Sequence, residues 1–318
     1  MMNNKHLKGL IAAPFTPFDK DGSVNLKNIP EYANRLKKDG VSGAFVCGSS
    51  GEGLLMTTEE RKAVLETWVP FADENFKLIA HIGSTSYEIS RDLARHAESL
   101  GVYAIGCMGP CYFQPKTAIE LAKFCAKVAS AAPNTPFYYY HIPGGSGVNV
   151  NMVEFLKEAG RVIPNLAGIK YTNFNLMEMF QCLEFEDNKY DILHGHDELL
   201  ICGLTLGAQA AIGTTFNFMA PVFNKIIEAF RNKDIEKARA IQKNANEIIS
   251  IMLATGSPVS GGKAMMKICG LDCGPCREPL GNLTDKQYEK LKEDLKKSNF
   301  FDLVEEAKSH KQDLSIKG

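Results

Sequence analysis

Short apolar runs alternate with amphipathic stretches along most of the chain. The runs start at Gly9-Leu-Ile-Ala-Ala-Pro-Phe and continue through Gly43-Ala-Phe-Val-Cys, Lys77-Leu-Ile-Ala-His-Ile and Tyr103-Ala-Ile-Gly-Cys-Met. Pro136-Phe-Tyr-Tyr-Tyr, Leu166-Ala-Gly-Ile, Tyr190-Asp-Ile-Leu and Ala208-Gln-Ala-Ala-Ile complete a series of eight. Helical periodicity follows each run, as at Ile29–Leu36, Thr58–Ala72, Glu88–Leu100 and Ala118–Ala131. Continuous Val/Ile/Ala-rich runs without polar alternation predict strands buried on both faces. Strict strand–helix alternation predicts parallel pairing with right-handed crossovers. An open doubly wound sheet is the alternative. However, no Gly-x-Gly-x-x-Gly turn follows the first run, and eight is the number that closes a barrel. The predicted fold class is therefore α/β, a (β/α)8 TIM barrel.

From about residue 220 the pattern is helical only, over Val222–Arg231, Ile235–Leu253, Val259–Ile268, Lys286–Lys297 and Phe301–Lys308. The first of these completes a barrel spanning 1–232. The others predict a C-terminal helical extension, 233–318, packed directly on the barrel, because no Gly/Ser-rich linker intervenes.

Composition narrows the partners. Hydrophobic residues make up 45% and charged residues 23%, with a net charge of -1, values ordinary for a globular protein with a substantial core. Such a balance gives no overall field for nucleic acid or an anionic membrane. No apolar run approaches the roughly 18 residues that span a bilayer, and Met1-Met-Asn-Asn-Lys-His does not resemble a secretory signal. Nine cysteines, an odd number scattered through predicted elements, suit reduced thiols and predict a cytoplasmic protein.

In such a barrel the active site forms where the strands end, so reactive side chains at the ends of the runs are the candidates. Lys170 ends the sixth run; desolvation there favours the neutral amine that attacks a carbonyl. Its alternative is a lysine snorkelling to water. Tyr140 ends the fifth run as a candidate proton relay, or as a packing residue. Tyr139 is expected to face opposite to Tyr138 and Tyr140.

Gly48-Ser49-Ser50-Gly51-Glu52 closes the second run with donors for a carboxylate, although an ordinary turn has the same composition. Gly195-His-Asp197-Glu198 and Gly213-Thr214-Thr215 close the seventh and eighth. The two acids could accept hydroxyl bonds from a sugar chain or simply serve a helix N-terminus. Two further signals are weaker. Cys273-Gly-Pro-Cys276 has redox-pair spacing but lies outside any strand–helix unit. His194 and His196 alone make no metal set, so no metal is expected.

Together Gly48-Ser-Ser-Gly-Glu52, Tyr140-His-Ile-Pro143 and Gly168-Ile-Lys170 resemble the signatures of the dihydrodipicolinate synthase/N-acetylneuraminate lyase superfamily. The likeness runs from Ala12-Ala-Pro-Phe-Thr-Pro-Phe to Pro275-x-Arg277-x-Pro279-Leu280. It implies a class I aldolase, usually a homotetramer, with Lys170 forming an imine with a pyruvate-type 2-oxo acid, Tyr140 relaying protons and no cofactor. It also implies that Ser49, Ser50 and Gly51 take the carboxylate. Tyr112 matches a tyrosine that completes the relay, often across a subunit contact.

Synthases of the family carry an arginine five residues after the relay tyrosine, where this chain has Gly145. The sialic-acid-cleaving members resemble it at Gly195, Asp197, Glu198, Gly213 and Thr214, and also at Ser146 and Thr172. Sialic acid and pyruvate are the implied small-molecule partners. Another pyruvate aldolase of the superfamily, or a silent barrel binding a 2-oxo acid, are the alternatives. Cys111 and Gly144-Gly145 depart from the family pattern and bear on the pocket wall.

Overall fold

The computed structural model describes residues 6–315. The opening Met1–Lys5, read above for a leader, lies outside the described residues. The elements run β1 (Gly9–Ala12), α1 (Ile29–Lys38), β2 (Gly43–Val46), α2 (Thr58–Trp68), β3 (Lys77–His81), α3 (Tyr87–Ser99), β4 (Ala104–Met108) and α4 (Ala118–Ala129). They continue with β5 (Phe137–His141), a short α5 (Pro143–Ser146), α6 (Met152–Val162), β6 (Leu166–Tyr171), α7 (Leu176–Glu184), β7 (Asp191–His194), α8 (Leu200–Leu206) and β8 (Ala210–Gly213). Helices α9 (Phe216–Arg231), α10 (Ile235–Leu253), α11 (Pro258–Ile268), α12 (Asp285–Lys297) and α13 (Phe300–Ser315) follow. All eight strands pair in parallel, each with its sequence neighbours, and β8 closes on β1. The fold is a TIM barrel carrying C-terminal helices.

Two apolar layers hold it. Inside the barrel, Ile11, Phe45, Ile79, Met108, Leu193 and Ile212 pack together. Between strands and helices lies the larger layer, built on Trp68, Tyr139, Phe155 and Phe223. The helices begin where their sequences allow. Thr57 and Thr117 form capping boxes with Glu60 and Glu120, satisfying N-terminal donors of α2 and α4.

The last barrel helix begins earlier than its periodicity predicts. Pro221 argues for a start at Val222, yet α9 begins at Phe216 and bends at the non-helical Met219. Phe216, Phe218 and Ala220 are buried there; their burial outweighs the missing proline donor, and the kink makes room for the ring.

The Cys273–Cys276 segment is an irregular connection between α11 and α12 rather than part of a helix. Burial pushes the Cys273 thiol up to about 12 and the Cys276 thiol up to about 11, so neither is poised as a thiolate. Cys273 O accepts from Phe18 N, and a Cβ on Gly274 would lie 1.8 Å from Phe18 O. The motif packs against the loop after β1. Among the described residues no helix is long and apolar enough to cross a membrane.

Candidate active site

Strand β6 delivers Lys170 to the interior. The strand is two-sided: Ile169 and Tyr171 face the helices, and Lys170 faces inward beside Tyr140 of β5 and Leu193 of β7. Gly168 makes this close pairing possible, since a Cβ there would lie 1.8 Å from Asp191 O. Lys170 is 5% exposed. Its Nζ sits 4.0 Å from the centroid of the Tyr140 ring and 4.3 Å from that of Phe45, and among the described residues no carboxylate lies within ion-pair distance of it. Tyr138 and Tyr140 join the interior layer while Tyr139 joins the outer one, following strand alternation.

The loop after β2 is bracketed by two left-handed non-glycine residues, Cys47 at φ 59° and Glu52 at φ 55°. Such conformations are sparsely populated and persist where neighbours hold them. Cys47 O faces His81 Nδ1 at 3.0 Å, and Gly51 O accepts from Thr16 Oγ1 at 2.6 Å. So held, the loop places Ser49 Oγ 3.3 Å from Tyr140 OH and Ser50 Oγ 2.6 Å from Thr214 Oγ1.

Opposite, β6, β7 and β8 supply a polar wall. Gly195 and Gly213 are small of necessity: a Cβ at the first would lie 2.1 Å from Thr172 Oγ1, and at the second 2.0 Å from Asp197 Oδ1. Thr172 Oγ1 is buried without a partner among the described residues. Asp197 Oδ2 accepts from both the N–H and the hydroxyl of Thr215 at 2.7 Å. Burial pushes the Asp197 carboxyl up, the Thr215 bonds oppose this, and it settles at about 6. Burial also pushes Glu198 up, but the contact with His196 Nδ1 at 3.2 Å and its own backbone bond prevail and hold it below the usual range. From α10, Gln242 Nε2 donates to Asp197 O and Asn246 Nδ2 to Glu198 O.

These walls enclose a cavity of about 290 Å³ rimmed by Met252 and Leu253 of α10 and by Pro258 and Val259 of α11. The chain matches the Dihydrodipicolinate synthetase family over residues 6–298. It is 36% identical over 299 residues to N-acetylneuraminate lyase of Gallus gallus, covering 93% of this chain and 97% of that one. The structure of Proteus mirabilis N-acetylneuraminate lyase superposes with a TM-score of 0.90 at 41% identity, over 93% of this chain and 100% of that one. The Ruminococcus gnavus sialic acid aldolase, as a catalytic lysine mutant, superposes with a TM-score of 0.87 at 33% identity, over 95% of this chain and 97% of that one. The chain belongs to the dihydrodipicolinate synthetase family.

Most residues carrying the family likeness converge on this cavity: Lys170, Tyr140, Ser49, Ser50 and Thr172 line it, as do Gly195, Asp197, Glu198, Gly213 and Thr214. Three predicted site residues do not. Tyr112 lies on the loop after β4, 80% exposed and edge-on against the equally bare Phe113 ring; it does not line the cavity of its own chain. Ser146 spends its hydroxyl locally, donating to Ile142 O at 2.8 Å and accepting from Val148 N at 3.2 Å, because the end of α5 needs both partners. Gly51 lies behind the loop with its carbonyl on Thr16, and a Cβ there would stand 2.9 Å from Pro14 O.

Conversely, Phe45, Gln242 and Asn246 escape a reading of strand ends, and Thr215, read there only as the end of the eighth run, is the partner of Asp197. Phe45 is legible from the inward parity it shares with its strand neighbours, but the α10 side chains reach the site only through packing. Among the described residues no group of three His, Cys, Asp or Glu side chains is placed to hold a metal ion.

Proposed function

We propose that this chain is a class I aldolase that reversibly cleaves N-acetylneuraminate to N-acetylmannosamine and pyruvate through an imine on Lys170. One observation carries the reading: among the described residues the only lysine lining the cavity lies against the Tyr140 ring, whose hydroxyl meets Ser49. The N-acetylneuraminate lyases and sialic acid aldolases that resemble the chain support it.

The Lys170 amine, in its neutral form, attacks the 2-oxo carbon of the open-chain sugar and expels water as the imine forms. Ser49 and Ser50 hydroxyls donate to the substrate carboxylate, fixing the reacting carbon over the amine. Tyr140, acting with that carboxylate, removes the C4 hydroxyl proton; the C3–C4 electrons move into the protonated imine, and N-acetylmannosamine leaves as the aldehyde. Protonation of the resulting enamine at C3 and hydrolysis release pyruvate and the free lysine. Asp197, Glu198 and the unpartnered Thr172 hydroxyl receive the sugar hydroxyls. The imine is itself the electron sink, so this sequence of steps calls for no cofactor.

No arginine lines the cavity among the described residues, and Gly145 offers no side chain, which argues against a second carboxylate substrate such as aspartate semialdehyde. The reading extends to a cytoplasmic homotetramer in sialic acid breakdown, with exposed Tyr112 completing the relay of a neighbouring chain.

The decisive experiment is borohydride reduction in the presence of pyruvate, followed by peptide mass spectrometry. The expected adduct is on Lys170; an adduct elsewhere, or none, overturns the assignment.

A further inference from the structure

The chemistry above leaves one buried charge pair without a role. Glu52 ends the strained loop with its side chain fully buried, and Glu52 Oε1 lies 2.6 Å from Lys263 Nζ of α11. Glu52 Oε2 accepts from Arg277 N at 2.8 Å. Lys263 is 4% exposed, donates to Pro275 O at 2.7 Å and stands 4.3 Å from the centroid of the Phe18 ring. The Arg277 guanidinium covers the same ring at 4.5 Å, donates to Gly22 O and Leu55 O, and pairs with Glu60. Thus the loop after β2 is tied to a part of the chain 225 residues away.

A buried ion pair is poorly explained by stability, because an apolar pair of like volume often serves the fold equally well. Its position suggests another reason. Glu52 N donates to Ser49 O and Gly53 N to Gly48 O, each at 3.1 Å, so the Glu52 side chain anchors the closing end of the turn that carries Ser49 and Ser50. We propose that Glu52 and Lys263 are positioning residues for the carboxylate cradle, their buried pair clamping the 48–52 loop to the C-terminal helices. The clamp sets where the two serine hydroxyls meet the carboxylate of a 2-oxo acid. This inference rests on the aldolase reading, and it gives the C-terminal helices a part in catalysis beyond packing.

The test uses the Glu52→Gln/Lys263→Met double variant, which leaves no orphan ion, and Lys263→Arg, which keeps the charge in altered geometry. The readout is the pyruvate concentration giving half the maximal initial rate of borohydride inactivation. It should rise on the order of tenfold in the double variant and less in Lys263→Arg, since a misplaced orienting group weakens capture of the reacting ketone. KM for N-acetylmannosamine at saturating pyruvate should change by less than about twofold, because the clamped side chain ends on the turn that carries the two serines and not on the acids of the opposite wall. An unchanged pyruvate half-saturation overturns the proposal, as does an equal rise in both constants, the mark of general loosening. If the double variant does not fold, Lys263→Arg with wild-type circular dichroism and melting decides by the same criterion. A wild-type protein that yields no Lys170 adduct overturns the aldolase reading and this inference with it.

Discussion

Single residues in this site are tuned by what surrounds them. Asp197 is the clearest case, its carboxyl raised to about 6 chiefly by burial. The folded protein then binds this proton more tightly than the unfolded chain, whose aspartates titrate near about 3.9. The stability linked to Asp197 is therefore fully present below about pH 4 and is lost as pH rises through about 6. Under the proposed aldolase reading activity carries the opposite sign, because the sugar hydroxyls assigned to Asp197 and the Thr215 donors need the ionised carboxylate. In a pH profile of kcat/KM for N-acetylneuraminate, we expect an acid limb near pH 6, and Asp197→Asn should lower the plateau about tenfold and abolish that limb. A limb surviving in the asparagine variant would assign it to another group. Lys170, Tyr140 and the serines are legible in the sequence because reactive residue types stand where apolar runs stop. Ser146 misleads because a hydroxyl near a site and a hydroxyl finishing a helix have the same local signature.

Among the elements, β6 shows how little freedom the strand carrying Lys170 has. It pairs with both neighbours, and Gly168 faces the β7 backbone at a distance no side chain tolerates. Gly168→Ala should destabilise the protein by about 1–3 kcal/mol or more, because overpacking must displace strand backbone rather than a flexible side chain. Urea unfolding measures this directly; a midpoint equal to wild type would show that β7 yields easily. All eight strands are legible as apolar runs, since burial on both faces leaves a continuous signature. The early start of α9 is not, because Pro221 reads as a boundary locally while the burial of Phe216 and Phe218 is decided by the barrel wall.

At the scale of the whole molecule, parts distant in sequence complete the site. The C-terminal helices hold Asp197 and Glu198 through Gln242 and Asn246, hold Glu52 through Lys263, and rim the cavity. Tyr112 and Phe113 remain bare on the single chain, as do Phe174 and Met177 elsewhere on the surface. If Tyr112 serves a neighbour's site in a tetramer, chains carrying Lys170→Ala and chains carrying Tyr112→Phe should complement when co-expressed, giving more activity than the two parents summed. Activity equal to that sum would confine each site to its own chain.

By itself the sequence determined the barrel, the imine lysine as candidate and the loops that meet at the cavity, because strand burial and residue type are written locally. Only the tertiary structure decided which hydroxyls face the cavity, which acid is buried enough to titrate near 6, and that a lysine of α11 grips the serine loop. Those outcomes depend on distances between segments hundreds of residues apart, and packing alone sets such distances.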